Sequence, residues 1–223
     1  QKCFYDGKLE FKMNVTNGKK DGSYLLNYKS GCPQKKGLEI MGIRHGAYKE
    51  FYDSTENLKL DQHFNKGKLD GTQLSFSENG DTIALENYTL DILNGMQRSY
   101  FFNGKLNLQI TYKSGRMHGK YLKYDSKGTL LDDMTYTNGK RHKKAYRYFD
   151  NGNLMIEESW SHGKKNGEFK YFFPSGTMSS YEIYVNDKKE GEFEEKYKNG
   201  FTKRHAVYKK NKLICETIYN EYG

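Results

Sequence analysis

Glycine returns every 24 residues along this chain, and that spacing restricts the fold more than any other feature. Three columns run side by side. The first is Gly18, Gly42, Gly67, Gly115, Gly139 and Gly163, with Asp91 and Asp187 in its remaining slots. The second is Gly22, Gly46, Gly71, Gly95, Gly119, Gly167 and Gly191, with Lys143 in the empty slot. The third is Gly7, Gly31, Gly80, Gly104, Gly128, Gly152, Gly176 and Gly200. Together they hold 21 of the 23 glycines, so the pattern is not accidental. One step of 25 separates the second and third repeats, and the extra residue falls within 53–57. A period of this size marks a repeat architecture, in which each unit buries its apolar surface against its neighbours.

The aromatic residues keep the same period. Tyr88, Tyr112, Tyr136, Trp160, Tyr184 and Tyr208 form one column, extended upstream by Phe64 and Val15. Phe51, Phe76, Tyr100, Tyr124, Tyr148 and Phe172 form a second, and Tyr24, Tyr48, Tyr121, Phe169 and Phe193 a third. Composition decides what these columns build. Only 35% of residues are hydrophobic and 29% are charged, too polar for one deep core. Yet 15% are aromatic, which a disordered chain would not be. A thin β structure with aromatic ladders satisfies both.

Each repeat reads as two short strands, for example residues 119–124 and 130–136. Asn or Asp precedes many of the glycines, and Asn-Gly or Asp-Gly supplies the positive φ angles of tight hairpin turns. The third column is expected to form one turn, as at Asn103-Gly104. Columns one and two are expected to bracket the return turn, as from Gly115 to Gly119. The expected fold is all-β: an elongated single antiparallel sheet of about nine hairpins over residues 1–223, with 1–17 and 211–223 as partial capping repeats. Two strands per repeat would advance it about 9–10 Å each time, or about 80–90 Å in all. A β-solenoid coil of 24 residues is the structural alternative, although its interior would call for stacked Val and Ile rather than Tyr.

Tyr112-Lys113-Ser114-Gly115-Arg116-Met117-His118-Gly119-Lys120-Tyr121 resembles the MORN repeat, Tyr-x-x-Gly-x-x-His-Gly-x-x followed by an aromatic. Tyr136 to His142 matches its first part, with Lys143 in place of the second glycine. Trp160 to Phe169 matches with Asn166 in the His slot. The resemblance covers nearly the whole chain and is closest to the variant common in bacterial, antitoxin-like proteins. It implies twisted sheets of β-hairpins, protein binding, membrane-proximal scaffolding and phosphoinositide binding. The departures at Asp91, Lys143 and Asp187 put their local turns in question.

Catalytic motifs are missing. There is no Gly-x-x-x-x-Gly-Lys-Ser/Thr loop, no Asp-Phe-Gly triplet and no Gly-x-Ser-x-Gly elbow. The Gly-Lys pairs sit in hairpin turns, not before helices. The carboxylate pairs Asp132-Asp133, Glu157-Glu158 and Glu194-Glu195 are adjacent in strands, so their members point to opposite faces. His45, His118 and His142 share the slot before column two with Asp, Asn and Glu, all residues that bond locally to backbone. No enzyme, cofactor or metal is expected. Cys3, Cys32 and Cys215 have no metal spacing, and a Cys3–Cys32 bridge is left open.

Two candidate surfaces remain. One is the aromatic column Tyr88, Tyr112, Tyr136, Trp160, Tyr184 and Tyr208, read as a packing ladder first and a binding surface second. The other is electrostatic. The net charge is +9, and residues 113–223 hold 22 Lys and Arg against 15 Asp and Glu. The candidate contacts for an anionic partner are Lys140, Arg141, Lys143, Lys144, Lys164, Lys165, Lys188, Lys189, Lys203 and Arg204. The expected function is a non-catalytic scaffold binding a protein, in the manner of an antitoxin or immunity factor. The alternative is a peripheral binder of anionic phospholipid headgroups through the basic C-terminal half. Nucleic acid is disfavoured for want of a motif, and no small-molecule substrate is expected. The start at Gln1 leads to the expectation of an exported or periplasmic protein, with a cytoplasmic one as the alternative.

Overall fold

The computed structural model describes residues 1–222. These residues form 24 strands and no helix. All the strands belong to one sheet, every recorded pairing is antiparallel, and neighbours in sequence are neighbours in space. Hairpins, not solenoid coils, are therefore the repeating unit. Two compact units are distinguished. The first is Gln1–Leu106 with Tyr112–Gly115, and the second comprises residues 107–111 and those from 116 onward.

Column one makes the tight turn, joined by Gly7 of column three, where Tyr5 pairs with Lys8 around Asp6 and Gly7. Thr137 pairs with Lys140, Ser161 with Lys164 and Val185 with Lys188, leaving two residues at each tip. Both tip residues have positive φ, as at Asn138 (51°) and Gly139 (78°). That is the type I′ turn, whose twist matches the flanking strands. From Gly31 on, column three makes the other turn. The Gly104 N–H donates to the Phe101 carbonyl at 2.9 Å and the Phe101 N–H to the Lys105 carbonyl at 2.8 Å. A turn of this form closed by a left-handed glycine is a three-residue hairpin with a bulge. The extra residue in 53–57 is absorbed in such a turn, where Tyr52 donates to Asn57 and Glu56 takes the positive φ.

The expectation for column two is corrected. Residues 115–119 are not a return loop, because the strand Arg116–Tyr124 runs through Gly119. Column two is instead a bulge. Tyr184 pairs with Lys189 and Glu182 with Phe193, so residues 190–192 stand opposite Ile183 alone. At Gly167 φ is +111° and an added Cβ would lie 3.0 Å from the Cβ of Ser159, so both angle and space require glycine. Lys143 holds the same site with φ at 72°, a conformation that costs a side-chain-bearing residue about 1 kcal/mol or more.

The departures at Asp91 and Asp187 are corrected too, because their turns are intact. In every turn from the second hairpin on, the column-one N–H donates to a carbonyl of the preceding hairpin. In the first unit these bonds are Gly42 to Lys20, Gly67 to Arg44, Asp91 to Leu69 and Gly115 to Leu93; in the second, Gly139 to Met117, Gly163 to Arg141, Asp187 to Lys165 and Asn211 to Lys189. Where the glycine is replaced, the new side chain returns the bond. Asp91 accepts the Leu69 N–H at 2.7 Å, Asp187 the Lys165 N–H at 2.8 Å and Asn211 the Lys189 N–H at 2.6 Å. The slot before column two adds a further hook. His45, Asn94, His118, His142 and Glu190 each accept the N–H of the residue preceding column one in the next turn. Within each unit, one edge of the sheet is thus a chain of turns, each bonded to the one before it.

Candidate functional site

Alternation along the strands separates two faces, and one carries all the buried side chains. In the first unit these are Glu39, Tyr48, Phe64 and Gln73; in the second they are Met134, Ala145, Glu158, Phe169, Tyr184, Phe193 and Ala206. Rings meet edge to face across hairpins. Trp160 and Phe169 lie 5.8 Å apart between centroids, Phe169 and Tyr184 4.9 Å, and Tyr48 and Phe64 5.9 Å. Such pairs stabilise beyond the area they bury. Of the column singled out in the sequence, Tyr184 is buried while Tyr88, Tyr112, Tyr136, Trp160 and Tyr208 are half-buried. The opposite face carries Phe51, Phe76, Tyr100, Tyr124, Tyr148 and Phe172, all half-buried.

Cations and carboxylates cover the ladder. Arg141 stands 4.9 Å from the Trp160 ring centroid and 3.2 Å from Glu158, to which the Trp160 Nε1–H also donates at 3.0 Å. Lys165 lies over Phe169 and Tyr184. Lys189 lies over Phe193 and Tyr208 and pairs with Glu182 at 2.9 Å. Arg204 lies over Phe193 and pairs with Glu216 at 2.7 Å. Arg44 does the same over Tyr48 and Phe64 in the first unit. These contacts desolvate the rings and satisfy the charges together.

The same packing sets two phenols apart. Burial pushes Tyr184 and Tyr48 far above the ordinary value of 10.0, and their hydrogen bonds to Glu182 and Glu50 act the same way. Burial opposes ionisation of Glu50, but the Tyr48 hydroxyl and Lys35 outweigh it and hold its carboxyl below the usual range. A phenol whose folded pKa is raised adds stability that is complete below about pH 10 and is lost as pH rises toward the folded value. Urea stability is therefore expected to fall as pH rises above about 10, and the Tyr48→Phe/Tyr184→Phe double variant is expected to lose part of that fall. An unchanged alkaline slope in the double variant would show that these phenols do not contribute.

The basic residues divide into three classes. Arg141, Lys165, Lys189 and Arg204 face the ladder, as above. Lys144 pairs with Glu157, and Lys203 with Glu195 at 2.6 Å. Lys140, Lys143, Lys164 and Lys188 are exposed and make no ion pair among the described residues. Arg116 and Lys212, not among the candidate contacts, are exposed at the position equivalent to Lys140. That position was legible: it is the residue immediately after column one. The carboxylate pairs split as expected, with Asp132 toward Arg147 and Asp133 toward Lys120.

Cys3, Cys32 and Cys215 are free thiols. Among the described residues no group of three or more His, Cys, Asp or Glu is placed to hold a metal ion. His142 and His162 are neighbours, with ring centroids 4.6 Å apart. A depression of about 580 Å³ lies in the first unit between Lys12, Leu25, Lys36, Leu38 and Lys49 and has no carboxylate in its lining.

A distinct apolar feature lies along the I′ edge of the first unit. Ile40, Met41 and Ile43 at one turn and Leu90 and Ile92 at another are between 41% and 52% exposed. Lys66 and Lys68, both exposed, occupy the turn between them.

No curated protein matches the chain. The family model described as the MORN repeat variant matches residues 93–114, 141–162 and 165–186. Each match begins two residues after a column-one position and ends on the first tip residue of the next I′ turn, so the matched unit is the hairpin closed by a column-three turn.

Proposed function

We propose that the chain is a non-catalytic repeat scaffold that binds a protein partner through its edges. The observation that carries this reading is the row of exposed Ile40, Met41, Ile43, Leu90 and Ile92 around Lys66 and Lys68. Large apolar side chains held at rigid turn tips, with a polar rim, have the composition of an interaction patch. The aromatic ladder is a weaker candidate because cations and carboxylates already cover much of it. Similarity of three segments to the MORN repeat variant agrees with a scaffold. Within this reading, the finer assignment is an antitoxin- or immunity-like blocker of another protein. The alternative, attachment to anionic phospholipid headgroups, draws on the exposed cations of the C-terminal half.

The test is capture of a partner from the native source by the wild type and by Ile43→Glu/Ile92→Glu. The variant is expected to keep its circular dichroism and thermal midpoint and to lose the partner. Retention of every wild-type partner by a folded variant would reject the apolar edge.

A further inference from the structure

We infer that the I′ edge of the second unit binds an extended acidic polypeptide segment carrying a carboxylate at every third residue. The inference rests on the scaffold reading above and names the chemistry of a partner.

Arg116, Lys140, Lys164, Lys188 and Lys212 each follow a two-residue turn and so occupy one position in five successive hairpins. Registers place Lys140 opposite Thr137, Lys164 opposite Ser161, Lys188 opposite Val185 and Lys212 opposite Lys209. The positions stack directly. An added Cβ on Gly163, the residue before Lys164, would lie 3.3 Å from the Cβ of Lys140. All five cations are exposed, and none has an ion-pair partner among the described residues. The acids nearest the row are already engaged, Asp187 with the Lys165 N–H and Glu190 with the Lys210 N–H. The first unit has no equivalent row, because Lys19, Ile43, Lys68 and Ile92 alternate cation and aliphatic at this position.

Spacing selects the ligand. Two strands separate successive cations, which sets a pitch of about 9.4–9.8 Å. That is within the screening length of about 10 Å at 0.1 M salt, so the cations repel one another until an anion lies along them. A polyproline II segment has three residues per turn and rises about 3.1 Å per residue. Acids at every third position therefore fall on one side at intervals of about 9.3 Å. A β-strand would put such acids alternately on opposite sides. Phosphates of a DNA strand recur about every 3.4 Å, so every third lies about 10 Å on but is turned about a third of the way round the helix axis and leaves the row. The turn tips Asn138, His162, Asn186 and Lys210 offer no large apolar side chain to enter a bilayer and no Phe, Tyr or Trp on which bases could stack, and Val185, exposed beside Lys188, is a single small apolar contact.

The experiment compares two labelled peptides of the same composition at about 50 mM salt, where the counterion effect is large. One is five Glu-Pro-Pro triplets; the other has its five Glu clustered at one end. The triplet peptide is expected to bind at least about tenfold more tightly, the equivalent of 1.4 kcal/mol. Lys140→Gln/Lys164→Gln/Lys188→Gln, which avoids introducing new charge, is expected to abolish that preference without changing the thermal midpoint. Equal affinity for both peptides, no binding of either, or an unchanged preference in the folded triple variant would overturn the inference. So would a row that serves only phosphatidylserine vesicles or oligothymidine. A partner captured by the wild type, retained by the lysine variant and lost by Ile43→Glu/Ile92→Glu would refute this inference and leave the scaffold reading standing.

Discussion

Replacing Phe169 by alanine is expected to lower the unfolding free energy of the second unit by about 3–5 kcal/mol, the usual range for a buried Phe truncated in a packed core. Among the described residues, Phe169 is the one large side chain with no exposure at all. Trp160 and Tyr184 meet its ring from either side, and Lys165 lies 5.0 Å from its centroid. Truncation removes both edge-to-face contacts and leaves Lys165 over a void. The loss should be local. A repeat array is held by terms between neighbours, so hydrogen exchange should quicken in strands Leu154–Ser161, Gly167–Phe172 and Met178–Val185. Amides of the first unit should keep their protection. Uniform loss of protection along the chain, or a destabilisation under about 1 kcal/mol in urea, would show that the ladder does not carry the stability assigned to it.

How much of this was open to a reader of the sequence depends on whether the cause was local. Hairpins were legible because Asn138-Gly139 and its equivalents are local devices: two residues with positive φ force a turn whatever surrounds them. Column two was misassigned because a glycine near a turn and a glycine in a bulge look alike in sequence. Two like cations at Lys140-Arg141 and Lys164-Lys165 hide the strand in the sequence, and only in the structure does burial alternate through them. That alternation also divides the basic residues. Arg141 and Lys165 fall on the ladder side, while Lys140 and Lys164 fall outside it. Reading the cluster at 140–144 as one patch ignored the two-residue period of a strand. What no local reasoning could reach is the use made of His45, His118 and His142. The sequence showed residues suited to bonding with backbone; the backbone they bond lies 20 or 21 residues on, in the next hairpin.

That dependence between hairpins makes Asp187 the sharpest place to test the hooked edge. Its φ is 68°, its N–H donates to Lys165, and its side chain accepts the Lys165 N–H at 2.8 Å. Asp187→Ala removes the returned hydrogen bond, a loss of about 1 kcal/mol. It also places a residue poorly suited to the left-handed region at that φ, which adds about 1 kcal/mol. The expected destabilisation is thus about 2 kcal/mol, read as a shift in the urea midpoint. Asp187→Gly loses the same bond but relieves the backbone, so it should be close to neutral. It would also restore the residue that column one carries at Gly139 and Gly163. Asp187→Asn keeps both the acceptor and the tolerance of positive φ, and should stay near wild type. If alanine and glycine prove equally harmful, the backbone angle contributes nothing and the side-chain bond is the whole effect. If alanine is harmless, the turns are held by their own type I′ geometry and the bonds between hairpins add nothing to the array.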